Sequence, residues 1–346
     1  MKKRAIRIFI MTVLICVACQ TATDRDQPAQ EPTPPLQPTS TSPVVPGVTV
    51  TPEATPTPQM GVDEMFLELN QVSPGQYLMI YFYEEDVKYI ELLTPEMNVV
   101  KRVPIDANID WIVTSASGNQ LMVTRFGSDM AYLYDIFTQQ VTEHRFIVNC
   151  DSPTWSPDGD MVALTCINDS MNAVEIYLLD VETGSMERIT DCEERHLSCA
   201  SASWSFDGRW LAYNWDEGRS GTHFSRGVYI FDTSCIEVGN CMENQIGPLP
   251  EDGGPIWTPT NELVVAVGDD LRFYTLIDNI PVLTRTISTD VDFYRTIRVS
   301  PDGEYLSLVP VYPDTVQNYS LTSNRFGPLL ERGGNPMGIA GWIVIP

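Results

Sequence analysis

The first residues that could do chemistry are aspartates that lie two positions after a serine. Ser156 and Asp158 occur in the stretch Trp-Ser-Pro-Asp-Gly, and Ser300 and Asp302 occur in a second Ser-Pro-Asp-Gly stretch. An aspartate in such a place is a candidate catalytic acid. A turn is the better interpretation, because proline presets φ, aspartate bonds its own backbone and glycine accepts the positive φ that follows. Apolar residues on both sides of Asp158 then predict a β-hairpin.

Cysteines form a second group that could do chemistry. Six of them follow Cys19 along the chain, namely Cys150, Cys166, Cys192, Cys199, Cys235 and Cys241. An even number in an exported chain predicts disulfides, and a metal site is disfavoured because these six contain no Cys-x-x-Cys. Cys150 and Cys166 are equally distant from Asp158, so a hairpin places them on facing strands. We predict three local pairs, which are Cys150–Cys166, Cys192–Cys199 and Cys235–Cys241.

The elements that position these residues follow from a long repeat. Six Ser or Thr anchors recur at intervals of 42, 41, 49, 53 and 42 residues, and they are Ser73, Ser115, Ser156, Ser205, Thr258 and Ser300. Further apolar segments, such as residues 176–180, predict a third strand in each repeat, and no convincing helical periodicity follows residue 60. The period predicts an all-β fold, a β-propeller with one four-stranded antiparallel blade per repeat.

The number of blades depends on the C-terminal segment. Residues 338–345 resemble residues 110–113, with which the second repeat begins. We interpret this segment as the strand that closes a six-bladed ring against the N-terminal blade. An incomplete seventh blade, and hence a seven-bladed propeller, is the alternative.

The repeat resembles that of a known family. Trp-Ser-Phe-Asp-Gly-Arg-Trp-Leu-Ala-Tyr at 204–213 and its copies are similar to the repeat of TolB-like β-propellers, which are related to WD-repeat proteins. The resemblance covers residues 63–346 and implies a fold rather than an activity, because such blades occur in binding proteins, peptidase accessory domains and some lyases. The chain departs from the family in two respects. It has no α/β domain before the propeller, and it lacks the Gly-x-Ser-x-Gly motif of a hydrolase domain.

Acidic side chains fall in loops that a propeller brings to one face. If the innermost strand runs into the Ser-Pro-Asp-Gly turn, the loop after the second strand and the loop entering the next blade share the opposite face. We call this face the acidic rim; its loops hold residues 84–86, Asp106, Asp129, Asp151, Asp169, Asp191, 193–194, 216–217, 251–252, Asp269, Asp270, Asp290, Asp292, Asp314 and Glu331. These acids are either solvated turn residues, a surface for a basic protein or peptide, or ligands for Ca²⁺.

Histidines in the same loops leave a metal-dependent enzyme open. His144 lies in a predicted strand and is assigned a structural role, whereas His196 and His223 fall in rim loops near Asp216 and Glu217. Some propeller lyases hold a metal with a histidine cluster. The resemblance therefore allows, as the alternative function, a metal-dependent polysaccharide hydrolase or lyase.

Tryptophans divide into two groups. Trp155, Trp204 and Trp257 recur with the repeat, so we interpret them as packing between blades. Trp215 breaks the period, and we place it in a long loop of the acidic rim as a candidate for ligand contact. The complete set of candidate binding residues is Asp169, His196, Trp215, Asp216, Glu217, His223, Asp269 and Asp270.

The N-terminus predicts export. Four basic residues precede an apolar run over residues 8–18, which is typical of a signal peptide and short for a transmembrane helix. The run ends Ile-Cys-Val-Ala-Cys, which resembles the lipobox of bacterial lipoproteins. We assign residues 1–18 to a lipoprotein signal peptide and predict lipid attachment at Cys19. An ordinary signal peptide with an incidental cysteine is the alternative.

A tether is predicted between the lipid and the propeller. Residues 20–62 contain ten prolines and nine threonines, and such a segment buries too little apolar surface to offset its chain entropy. We therefore expect residues 19–62 to be disordered, with a reach of at most about 120 Å in the polyproline II conformation.

Charge narrows the class of partner. The chain carries a net charge of −25, and removal of the four positive charges in the signal segment brings the mature chain nearer −29. Nucleic acid is therefore excluded as a partner, and direct docking on an anionic bilayer is disfavoured. We predict a monomeric, non-enzymatic, lipid-anchored module on the extracytoplasmic face of a bacterial membrane. It would bind a protein, peptide or envelope polymer and need no cofactor unless Ca²⁺ occupies the rim.

Overall fold

The chain folds into short strands that repeat with the period of the anchors. The computed structural model describes residues 61–346, except for residues 126–127, 146–149, 168–173, 193–197, 217–224, 239–240, 244, 251–252, 290–293, 311–314 and 332–337. In this part of the chain, no helix is both long and apolar enough to cross a membrane.

The strands form six four-stranded antiparallel sheets, each of which is one blade. Blade 1 contains β1 (Gly75–Glu84), β2 (Val87–Leu93), β3 (Val99–Ile105) and the last strand, β24 (Gly338–Ile345). Blade 2 contains β4 (Ile109–Thr114), β5 (Gln120–Arg125), β6 (Met130–Asp135) and β7 (Gln140–Arg145). Blade 3 contains β8 (Cys150–Trp155), β9 (Met161–Ile167), β10 (Val174–Asp180) and β11 (Met186–Arg188).

The other three blades follow the same order. Blade 4 contains β12 (Ser198–Trp204), β13 (Trp210–Asp216), β14 (Ser225–Asp232) and β15 (Ile246–Leu249). Blade 5 contains β16 (Pro255–Trp257), β17 (Leu263–Val267), β18 (Asp270–Ile277) and β19 (Ile280–Ser288). Blade 6 contains β20 (Tyr294–Val299), β21 (Tyr305–Pro310), β22 (Thr315–Ser320) and β23 (Arg325–Glu331).

The C-terminal strand completes the first blade. β24 pairs antiparallel with β1, from Gly75 opposite Ile345 to Tyr81 opposite Gly338. It forms the inner edge of blade 1 and closes the ring between β20 and β4. The prediction of a six-bladed propeller with a closing C-terminal strand is confirmed. The seven-bladed alternative is wrong, because this segment pairs with blade 1 and does not begin a new sheet.

The Ser-Pro-Asp-Gly stretches are turns, as predicted. Ser156 Oγ donates to Asp158 Oδ1 at 2.5 Å, and the amide of Met161 donates to Ser156 Oγ at 2.9 Å. Gly159 has φ of +83°, which glycine adopts without strain. The serine–aspartate bond recurs at 2.6 Å in the turns that follow β12 and β20. The hydroxyl and carboxylate bond each other and the turn backbone, so they hold the hairpin together.

A short helix precedes the first blade, and here the expectation of no helix after residue 60 is wrong. Helix α1 (Val62–Leu69) begins at the boundary predicted between tether and propeller. It buries Val62, Met65, Phe66 and Leu69, whose spacing is that of one helical face. The Phe66 ring stacks on Tyr134 of blade 2, with ring centroids 4.0 Å apart. Only two turns show this spacing, which is why the pattern is weak in the sequence.

Three disulfides join the local pairs that the sequence predicts. Cys150 and Cys166 lie opposite each other on β8 and β9, with their Cα atoms 4.0 Å apart. Cys192–Cys199 joins the end of blade 3 to β12. Cys235–Cys241 joins the short helix α2 (Cys235–Val238) to a 3-10 turn (Cys241–Glu243). All three bridges therefore lie in or between blades 3 and 4.

Six apolar clusters hold the ring together, one at each junction between neighbouring blades. Trp155, Trp204 and Trp257 are each at least 91% buried in three successive clusters, which confirms that they pack between blades. The indole of Trp257 also donates to the carbonyl of Ser203 in the preceding blade, at 3.1 Å. The core is thus distributed around the ring instead of filling its centre.

Candidate binding surfaces: the acidic rim and the central channel

The topology brings the predicted loops to one face. β1, β5, β9, β13, β17 and β21 are the second strands of their blades, and the loops that follow them lie opposite the Ser-Pro-Asp-Gly turns. The loops that enter the innermost strands share that face. Exposed carboxylates occur there in blades 1, 2, 3, 5 and 6, and they are Glu84, Glu85, Asp86, Asp129, Asp151, Asp269 and Glu331.

Arginines compensate part of this acidic rim. Asp129 pairs with Arg145 at 3.0 Å, and Asp106 pairs with Arg125 at 3.3 Å. Glu84 pairs with Arg102, and Asp270 lies 4.0 Å from Arg272. The sequence alone does not predict these pairs, because the arginines come from strand positions up to 19 residues away from the acids. The rim therefore offers fewer uncompensated carboxylates than its composition implies.

Two acids approach each other where the rim meets the innermost strands. Asp110 of β4 and Asp151 of β8 lie on neighbouring blades. Loss of hydration raises the pKa of Asp151, and repulsion from Asp110 adds to that rise, while a hydrogen bond from Ser152 opposes it. The carboxyl groups of Asp110 and Asp151 thus lie close enough to repel each other, while Asp110 also lies near the ammonium group of Lys88.

Most of the candidate binding residues are not placed by the structure. Asp169, His196, Glu217 and His223 lie outside the described residues, and Asp216 is described only as the last backbone position of β13. Asp269 lies between β17 and β18, and Asp270 is the first residue of β18, at the rim end of that strand. Asp269 is exposed, and Asp270 accepts a hydrogen bond from Ser288 at 2.7 Å.

The placement of Trp215 in a loop is wrong. Trp215 belongs to β13, where it lies opposite Cys199 on one side and Gly227 on the other. Its ring packs against Tyr229, with centroids 5.6 Å apart. The strand is longer than the spacing of turn signals implied, so Trp215 contributes to the packing of blade 4.

Among the described residues, one group has the spacing of metal ligands. It consists of Glu175, Cys192 and Cys199. The two cysteines form a disulfide and offer no thiolate, while Glu175 accepts hydrogen bonds from Thr190 and the amide of Cys192, at 2.6 and 2.9 Å. This group stabilises the entry to blade 4 and does not fit a metal.

A cavity of about 300 Å³ lies at the centre of the ring. Its wall comes from the innermost strand of every blade, and the positions two and four residues before the anchors of repeats 2 to 6 all line it. These positions are Trp111, Val113, Ser152, Thr154, Ser201, Ser203, Gly254, Ile256, Thr296 and Arg298. The wall is therefore built mainly from hydroxyl and apolar side chains.

Arg298 of β20 is the one charged residue among the described residues that line this cavity. One of its amino groups donates to the carbonyl of Ile297 at 2.9 Å. Its Nε is buried and has no hydrogen-bond partner in the described part of the chain. Burial lowers the pKa of Arg298, and the neighbouring Tyr81 opposes that shift; a guanidinium nevertheless stays protonated in proteins.

Tyr81 reaches the cavity from the second strand of blade 1. It lies opposite Gly338 of β24, and a Cβ at that glycine would come within 2.2 Å of the tyrosine ring. A larger residue at position 338 would therefore displace the ring of Tyr81 from its place beside the innermost strand. The cavity thus gains an aromatic wall element beside Arg298.

The sequence analysis missed this channel, although a signal was present. Alignment of the repeats on their anchors places Arg298 where the other repeats have Val113, Thr154, Ser203 and Ile256. A single charge in a column of small or apolar residues marks an exception to the repeat.

The fold is similar to that of solved β-propellers. TolB from Acinetobacter baumannii aligns with a TM-score of 0.53 at 17% sequence identity, over 81% of this chain and 70% of the TolB chain. The beta-propeller domain of Myceliophteria thermophila Cps50 (Swd1) gives a TM-score of 0.48 at 15% identity, over 77% of this chain and 88% of that domain. The periplasmic gluconolactonase PpgL of Pseudomonas aeruginosa gives 0.48 at 11% identity, over 79% of this chain and all of PpgL.

These likenesses concern the fold. No protein-family model matches the sequence, and no curated protein matches it either. The predicted TolB-like, WD-like propeller is confirmed as an architecture, and at such identities an activity does not transfer with it.

Proposed function

We propose that the chain is a non-enzymatic binding module, lipid-anchored outside the cytoplasm, whose acidic rim binds a basic protein, a basic peptide or a cationic envelope polymer. The observation that carries this proposal is the set of exposed carboxylates from five blades on one face of the ring. Because surface charges of one sign steer oppositely charged partners, such a face favours a cationic ligand.

Export is supported by the disulfides. Three bridges link all six cysteines of the described propeller, and disulfides persist in oxidising compartments outside the cytoplasm. The basic and apolar N-terminal segment and Cys19 supply the export signal and the lipid attachment site. The tether over residues 19–62 would let the propeller act at a distance from the membrane.

A non-enzymatic role is supported by the turn chemistry. The aspartates two positions after Ser156, Ser205 and Ser300 accept hydrogen bonds within their own hairpins, which supports their interpretation as turn residues and not as catalytic acids. Metal-dependent cleavage of a polysaccharide by the purified chain would overturn this part of the proposal.

The rim is tested with a lysine oligomer as the probe. The full-length rim variant carries Glu85→Gln, Asp86→Asn, Asp151→Asn and Asp269→Asn. A control variant neutralises four exposed acids away from the rim, with Glu182→Gln, Glu187→Gln, Asp278→Asn and Glu304→Gln. We expect the rim variant to bind the oligomer about tenfold more weakly, and the control to stay close to wild type. Equal losses in both variants would show that net charge, and not the rim, attracts the probe.

Lipid attachment is tested separately with Cys19→Ala. Labelled fatty acid should enter the wild-type chain during expression in a bacterial host and should not enter the variant. The variant should also move from the membrane fraction to the soluble fraction. Labelling that persists in Cys19→Ala would place the lipid elsewhere and refute this assignment.

A further inference from the structure

The central channel differs in charge from the rest of the molecule. The chain has a net charge of −25, yet among the described residues of the cavity wall the one formal charge is the positive charge of Arg298. Arg298 is half-buried, and a cation that is partly withdrawn from water is costly unless it is paired. No ion pair of Arg298 with a carboxylate is found in the described part of the chain, so the described wall of the channel carries a positive charge that no carboxylate of that wall compensates.

The guanidinium of Arg298 has more N–H donors than the described residues use. It carries five N–H groups, of which one amino group donates to the carbonyl of Ile297. The buried Nε has no partner among the described residues. A carboxylate fits the edge of a guanidinium with two parallel hydrogen bonds, and such a contact would satisfy the charge and the unpartnered donor together.

The rest of the cavity wall offers polar and aromatic groups that could contact the part of the ligand next to its carboxylate. Thr154, Ser201 and Thr296 offer hydroxyl groups, while Trp111 and Tyr81 offer aromatic surface. Ser152 and Ser201 have φ of +46° and +54° where their strands bulge, a feature that often lies beside binding sites. The volume of about 300 Å³ is at the lower end of the range for ligand pockets. A cavity of this volume would accommodate a molecule of about monosaccharide size.

We propose that the central channel binds a small organic acid, whose carboxylate pairs with the guanidinium of Arg298. This site is separate from the acidic rim and holds the opposite charge. Polyanions are disfavoured, because the exposed carboxylates of the rim, together with Asp110 where the rim meets the innermost strands, would repel them. A ligand of monosaccharide size with a single carboxylate would compensate Arg298 and, because it has only one negative charge, would be repelled least by the acidic rim.

The test uses two acids and their neutral counterparts on the full-length protein. Benzoate is compared with benzamide, and glucuronate with glucose, by isothermal titration calorimetry and by the fluorescence of Trp111 and the other tryptophans. We expect at least one acid to bind saturably and its neutral counterpart to bind at least about tenfold more weakly, since a hydrogen bond to a charged group is lost. This comparison needs no variant and so does not depend on the folding of one.

Arg298→Gln then locates the site. It should weaken binding of the acid by at least about tenfold, whereas Arg325→Gln removes the same charge from the exposed outer strand of the same blade and should leave binding unchanged. The proposal is overturned if neither acid binds up to its solubility limit, if the neutral counterparts bind equally well, or if the folded Arg298→Gln variant binds like wild type. None of these outcomes depends on the rim, so they are distinguishable from a failure of the proposed function.

Discussion

At the scale of the residue, the aspartates of the repeat illustrate how a catalytic residue type can have a purely structural role. Asp158 accepts hydrogen bonds from Ser156 Oγ at 2.5 Å and from the amide of Asp160 at 3.2 Å. Both donors lie within two positions of it. Local sequence was therefore sufficient to predict its role.

The turn bonds of Asp158 should contribute measurably to stability. We expect Asp158→Ala to lower the free energy of unfolding by about 1 kcal/mol, because two hydrogen bonds to an exposed carboxylate are lost. Urea unfolding of the full chain measures the change. Asp160→Ala, at an exposed neighbouring position, should stay within about 0.5 kcal/mol of wild type. Equal losses in both variants would argue against a specific role of the turn.

A second residue-scale prediction concerns pH. The amide and hydroxyl of Thr183 donate to Asp180 at 2.7 and 2.8 Å and lower the pKa of that carboxyl, the amide contributing most. Because the folded state holds the carboxylate ionised to lower pH, its stabilising effect is present above the unfolded pKa, about 4. The effect is lost as the pH falls through the folded pKa.

Asp180→Asn should therefore flatten the acid side of the stability profile. The free energy of unfolding of the variant, measured from pH 7 downwards, should fall less steeply below about pH 4 than that of wild type. Glu187→Gln, an exposed control in the same blade, should reproduce the wild-type slope. An unchanged slope in Asp180→Asn would refute the assignment.

At the scale of the element, the disulfides show how far strand geometry follows from sequence spacing. Cys150 and Cys166 face each other because the turn around Asp158 lies midway between them. By contrast, β13 extends through Trp215 to Asp216. Where a strand ends depends on its pairing with β12 and β14, and that pairing leaves no mark in the local composition.

The disulfides close loops of different length, so removing each one separately should lower the free energy of unfolding by a different amount. The sequence separations are 16 residues for Cys150–Cys166 and 7 for Cys192–Cys199. Loop-closure entropy then predicts that replacing both cysteines of the first pair by alanine costs about 0.7 kcal/mol more than replacing those of the second. Thermal unfolding of the two double variants tests this difference. A larger cost for the shorter loop would show that native packing outweighs the entropy of the unfolded chain.

At the scale of the whole molecule, the ring is closed by a strand from the far end of the chain. Trp342 of β24 is 99% buried between blades 6 and 1. Its indole donates to Ser307 Oγ at 3.0 Å, and its ring stacks on Tyr305. The two ends of the propeller are thus joined by packing as well as by the β1–β24 ladder.

Trp342→Ala should weaken that closure. We expect a loss of about 3–5 kcal/mol in the free energy of unfolding, as for other large buried aromatic side chains. Phe326→Ala on the outer strand β23, where the side chain is 38% exposed, should cost about 1 kcal/mol. Denaturant unfolding followed by circular dichroism gives both values. A loss at Trp342 no greater than that at Phe326 would contradict a closing role for β24.

The repeat period, the turn chemistry and the cysteine spacing determined the propeller and the three bridges, because each depends on residues close in sequence or on a regular interval. They also predicted six blades and a closing strand, but only the pairing of β24 with β1 excluded a seventh blade. Tertiary structure decided the rest. The arginines that compensate Asp106 and Asp129 come from other strands, and helix α1 is stabilised by its contact with blade 2. Arg298 becomes a candidate binding residue only when the six innermost strands enclose it. Its partial burial and its lack of a described carboxylate partner are properties of the closed ring and not of any one repeat.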